Sequence, residues 1–137
     1  DTLVINDEEL RQLAEEHNIK RAAAAVRRLG PRRLIVKRGE FGAMLFDDEG
    51  VFLAPAYPLD AEIDPTGAGD TFAGALLGTL ARADDLAPTT VRRALLTAAT
   101  VASFCVEDVG TGRLTRLVPA EVTERLASLQ TLVQVEP

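Results

Sequence analysis

The stretch DPTGAGDTFAGALLG, Asp64 to Gly78, places glycines at 67 and 69 and an aspartate at 70 directly ahead of an apolar, helix-forming run. Gly67 and Gly69 permit backbone angles that a side chain forbids, and consecutive amide N–H groups in such a turn aim at one point. A helix starting here adds its unpaired N–H groups and the positive end of its dipole to that point. The stretch therefore reads as a hole for an anion, either a phosphate or charge developing on a phosphoryl group in transfer. Asp70 falls in the first turn of the helix, where a carboxylate can take a proton from an attacking hydroxyl. The competing reading is a plain loop-to-helix junction, because glycine before a helix and an acid in its first turn also occur for structural reasons alone.

Upstream of this stretch, DTLVIN is a strand-like run, and DEELRQLAEEH carries Leu10, Leu13 and Ala14 at helical spacing. IKRAAAAVRRLG reads as a second helix, closed by Gly30 and Pro31. RRLIVKRG is a short β-rich strand, expected parallel to the first because a helical crossover joins them. GAMLF and VFLA flank DDEG as a hairpin, and PAYPLDAEID leads onward as an extended segment. The helix after the glycines is expected to run to about Leu80. APTTVRRALLTAATVASFCVE is a long helix with Pro88 in its first turn and Thr89 or Thr90 as candidate caps. VPAEVTERLASLQ is a final helix, again opened by a proline. This order belongs to the α/β class with a partly parallel sheet, and no repeat or linker divides it.

Composition narrows the function classes. With 15 Lys+Arg against 21 Asp+Glu, the 137 residues carry a net charge of −6, which argues against a nucleic-acid-binding surface. Nucleotides remain open, because a helix N-terminus binds phosphate without a basic surface. One cysteine, Cys105, excludes an intrachain disulfide framework, and with a single histidine it argues against a zinc site. No apolar run reaches the ~20 residues that span a bilayer, and no basic-then-apolar leader opens the sequence. The expectation is a cytoplasmic protein without a membrane partner.

Two further spacings carry candidate chemistry. Asn6, at the end of a strand, stands three residues before Glu9, which by itself reads as a helix capping box. Gly39 and Gly42 bracket a turn after a strand, which by itself reads as a strand-to-strand connection.

Asp64, Pro65, Gly67, Ala68, Gly69, Asp70, Gly74, Ala75, Leu76 and Leu77 resemble the C-terminal signature of the phosphofructokinase-B, or ribokinase-like, sugar and nucleoside kinases. The resemblance implies a three-layer α/β/α fold with a mostly parallel sheet, of which residues 1–137 would be the C-terminal, ATP-binding portion. It implies ATP-dependent transfer of the γ-phosphate to a hydroxyl of a sugar or nucleoside. By it, Gly67, Ala68 and Gly69 supply the anion-hole amides and Asp70 is the catalytic base. Asn6 and Glu9 fit the family's N-x-x-E motif, with Glu9 acting on Mg²⁺ through bound water. Gly39 and Gly42 fit an element lying against the nucleotide phosphates and ribose. Lys37 stands where many members carry a small hydroxyl residue, and it or Arg38 could meet a phosphate as a point charge. Asp64 and Thr66, with the backbone near Cys105 and Gly110, would occupy the position of a monovalent cation such as K⁺. Thr66 would also border the nucleotide. The helix from Arg92 to Glu107 would wall the adenine pocket, with Ser103 and Val106 nearby. The Cys105 side chain reads as a small buried hydrophobe.

By the resemblance, the family's N-terminal half carries the first strands, the lid and most acceptor-binding residues, which these residues are not expected to replace. The expected partner is therefore a missing N-terminal half, or a second copy, that completes the open edge of the first strand. Two other readings stay open at this point: a nucleotide-binding module without turnover, and a fragment that completes its sheet by association.

Overall fold

The computed structural model describes residues 1–135, which divide into two compact units, Asp1–Ala54 and the chain from Pro55 onward.

The first unit runs β1 (Thr2–Asn6), α1 (Asp7–Ala14), α2 (Ile19–Arg27), β2 (Arg33–Lys37), β3 (Ala43–Asp47) and β4 (Gly50–Ala54). Its strands form one sheet in the order β1-β2-β3-β4. β1 and β2 pair in parallel, Leu3 opposite Leu34 and Ile5 opposite Val36, because α1 and α2 carry the chain back across the sheet. β2–β3 and β3–β4 are antiparallel, since a tight turn at Gly39–Gly42 and a two-residue loop at 48–49 leave no room for a crossover. In these residues the sheet is thus mixed, one parallel pairing beside two antiparallel ones.

The period of two along the strands decides which residues form the core. Leu3 and Ile5 of β1, Leu34 and Val36 of β2, and Met44 and Phe46 of β3 share one face. Leu10 of α1 and Ala22, Ala23 and Val26 of α2 pack on that face. The alanines of the Ala22–Ala25 run thus let α2 lie close to the sheet. Asn18 caps α2, its Oδ1 accepting the amides of Lys20 and Arg21 at 3.1 and 3.0 Å.

The second unit begins with an irregular segment, then α3 (Ala68–Ala83), α4 (Pro88–Cys105) and α5 (Pro119–Leu132). α3 buries Phe72 and Leu76, and it packs along α4. α4 buries a broad face from Val91 to Cys105 and packs against α5, which buries Leu129. The expected cap of α4 by Thr89 or Thr90 is not what forms: Ala87 is the N-cap without a side-chain bond. The Asp85 carboxylate, two residues ahead of that N-cap, accepts the Ala87 amide and the Thr90 hydroxyl, which keeps Thr90 from capping. Among the described residues no helix is long and apolar enough to cross a membrane.

Candidate active site

α3 starts where the glycines predict. Gly67 is its N-cap with φ +84° and ψ −4°, in the left-handed region that a side chain disfavours. The turn is closed by the Ala68 amide donating to Pro65 O (3.2 Å) and the Thr71 amide donating to Gly67 O (2.9 Å). Between them, the amides of Gly69 and Asp70 have no acceptor among the described residues. Two free donors at the positive end of a 16-residue helix are the physical requirement for holding an anion. The Asp70 carboxylate sits in this first turn, exposed, and takes no hydrogen bond from any described residue.

The turn before α3 is tied down from two directions. Asp64 Oδ1 accepts the Thr66 amide at 2.9 Å. The Thr66 hydroxyl first, then the Thr66 and Gly110 amides, hold the Asp64 carboxyl below the usual carboxylate range. From the end of α4, Val106 O accepts the amides of Ile63 (2.8 Å) and Asp64 (3.3 Å). The Cys105 thiol, buried as expected, donates to Thr66 O at 3.7 Å. The structure therefore gathers Asp64, Thr66, Gly67, Ala68, Gly69, Asp70, Val106 and Gly110 around one turn. Ser103 is close in sequence, but its hydroxyl is engaged elsewhere: it donates to Thr100 O (2.6 Å) and accepts from Arg125 Nη1 (3.0 Å).

In the first unit, Asn6 and Glu9 form a complete capping box on α1. The Asn6 amide donates to Glu9 Oε2 and the Glu9 amide to Asn6 Oδ1, both at 2.8 Å. Glu9 Oε1 keeps no partner among the described residues, so an outer contact to a hydrated metal is compatible with the box. Gly39 and Gly42 both adopt positive φ, +53° and +83°, which closes the turn after β2. Lys37 ends β2 opposite Ala43. Arg38 lies with its guanidinium 5.7 Å from the Phe41 ring centroid, and its Nε is buried without a partner among the described residues. Among the described residues no cluster of three or more His, Cys, Asp or Glu is placed to hold a metal.

Residues 1–116 match the model of the pfkB family carbohydrate kinases. The chain belongs to that family. Over 80 residues it is 41% identical to the aminoimidazole riboside kinase of Salmonella typhimurium, covering 58% of this chain and 25% of that protein. The solved aminoimidazole riboside kinase of Salmonella enterica, in complex with aminoimidazole riboside and an ATP analog, superposes with a TM-score of 0.81 at 32% identity. That superposition covers 91% of this chain and 41% of that one. The ribokinase of Arabidopsis thaliana, solved with ribose and ATP, matches with a TM-score of 0.78 at 28% identity, over 92% of this chain and 40% of its own. The fold is thus ribokinase-like, and this pfkB-family chain spans about two fifths of the length of those solved relatives.

Sequence reasoning missed three residues near the turn: Glu107, Arg113 and Arg125. Glu107 Oε2 accepts from Arg113 Nε at 3.1 Å, and its Oε1 from Arg125 Nη2 at 2.5 Å. No local spacing signals this, because the partners lie 6 and 18 residues from Glu107. The lone hint was an arginine at an inward position of the final helix.

Proposed function

We propose that this chain is the nucleotide-binding and base-bearing portion of an ATP-dependent kinase acting on a hydroxyl of a sugar or nucleoside. One observation carries the reading. An exposed carboxylate without a partner among the described residues, Asp70, shares the first helical turn with the free amides of Gly69 and Asp70. In this reading the glycine turn, Gly67 to Gly69, holds the γ-phosphate and stabilises charge on its equatorial oxygens. Asp70 accepts the proton of the acceptor hydroxyl, that oxygen bonds to phosphorus in line, and the bond to ADP breaks.

The other candidate roles follow from chemistry. Lys37 and Arg38 offer positive charge to phosphates beside the Gly39–Gly42 turn. Val106 and Ser103 border the adenine by backbone and packing. Asn6 and Glu9 suit magnesium held through water, which when bound neutralises phosphate charge. Asp64, Thr66 and Gly110 offer carboxylate and carbonyl oxygens, hard donors that suit a monovalent cation such as K⁺.

The test is Asp70→Asn in the full-length protein, read by turnover and by calorimetry with ATP and Mg²⁺. Turnover is expected to fall by about 10²- to 10⁴-fold while ATP still binds. Near-normal turnover removes Asp70 from the base role.

A further inference from the structure

The last turn of α4 and the residues after it face two ways. Cys105 and Val106 look toward the glycine turn: the thiol meets Thr66 O, and the Val106 carbonyl holds the amides of Ile63 and Asp64. Phe104 and Glu107, about one helical turn apart, look toward two arginines. The Phe104 ring, 2% exposed, has the Arg125 guanidinium 3.5 Å and the Arg113 guanidinium 4.8 Å from its centroid. Glu107 bridges the same two arginines, one carboxylate oxygen to each. Both arginine side chains are less than one-fifth exposed, at 19% and 18%. Further donors on each are fixed as well: Arg113 Nη2 to Glu121 at the start of α5, and Arg125 Nη1 to Ser103 of α4.

We propose that Glu107, Arg113 and Arg125 are positioning residues that set the geometry of the 63–70 turn through the 104–107 segment. Four consecutive residues carry both sets of contacts, so the segment cannot turn about the α4 axis without moving both. The cage fixes the Val106 carbonyl, that carbonyl fixes the Ile63 and Asp64 amides, and Asp64 sets the approach to Gly67. The charge balance makes Glu107 the keystone. Two mostly buried guanidiniums flank one ring, and without Glu107 only Glu121 remains among the described residues to oppose them, so they separate and the segment shifts. The consequence for turnover rests on the phosphotransfer reading above, whereas the consequence for the turn does not.

The experiment compares Glu107→Gln with wild type in the full-length protein, by hydrogen exchange of the Ile63, Asp64 and Leu76 amides and by steady-state kinetics. Exchange at Ile63 and Asp64 is expected to rise about tenfold, with Leu76 in the middle of α3 changing less than about twofold. Turnover is expected to fall about tenfold with KM for ATP nearly unchanged, the mark of a displaced reacting geometry and not of lost binding. Unchanged exchange at Ile63, or a parallel rise at Leu76, overturns the proposal. If Glu107→Gln does not fold, Arg125→Lys is measured by the same criteria, since it keeps the charge and loses the fork that reaches both Glu107 and Ser103. A wild-type protein without turnover sinks the phosphotransfer reading, and the exchange results then decide the positioning role alone.

Discussion

Replacing Gly67 by alanine separates two costs that usually come together. A Cβ at Gly67 would meet only Cys105 Sγ, at 3.8 Å, an ordinary contact distance, so no neighbour has to move. What remains is the backbone. At φ +84° an L-residue is strained by about 1–2 kcal/mol, which should lower Tm by about 3–8 °C. Gly74 is the control. It lies inside α3, and a methyl group there would meet nothing within 4 Å, so Gly74→Ala should stabilise by about 0.5–1 kcal/mol through helix propensity. The same chemical change, seven residues apart, is thus expected to carry opposite signs. Urea unfolding followed by circular dichroism reads both. A Gly67→Ala protein as stable as wild type would mean that residue 67 is not held in the left-handed region, and that α3 begins without the strained turn described above.

Two further outcomes test the first unit. The Arg21 side chain, followed by the Asn18 amide, lowers the Glu16 carboxyl from its ordinary 4.5 to about 2. A depressed folded value gives stability that is complete above pH 4.5 and is lost as pH falls toward 2, and Arg21→Ala should return the titration toward 4.5. Carboxyl NMR titration checks this, and a wild-type midpoint already near 4.5 would refute it. For the capping box, Asn6→Ala should cost about 1 kcal/mol, whereas Glu9→Gln keeps an acceptor and should change stability by less than about 0.5 kcal/mol. If Glu9→Gln also leaves the Mg²⁺ dependence of turnover untouched, capping is the whole role of that carboxylate.

What the sequence revealed follows the range over which each signal acts. The β3–β4 hairpin was legible because alternation and a short polar turn are local, and the start of α3 was legible because Gly67 has one strong conformational reason to stand there. The parallel pairing of β1 and β2 was legible from the helical crossover between them. The mostly parallel sheet came only from the family resemblance, and these residues contribute one parallel pairing of three. The cap of α4 was misplaced because the Thr90 hydroxyl does not cap a backbone amide; it is taken by Asp85, which lies outside the helix. Beyond an arginine at an inward position of the final helix, the arginine cage was not legible. Its members are ordinary charges in the sequence, and only the packing of α5 on α4 makes Arg125 a partner of Glu107.

Cys105 is the only cysteine of the 137 residues and is 2% exposed. Its thiol lies against the glycine turn, so parting of the end of α4 from that turn opens the sulfur to an alkylating reagent. Under native conditions the labelling rate is then the opening equilibrium multiplied by the intrinsic rate of the free thiol. The chain therefore carries its own gauge of how often this turn comes apart, needing neither an introduced probe nor a substrate.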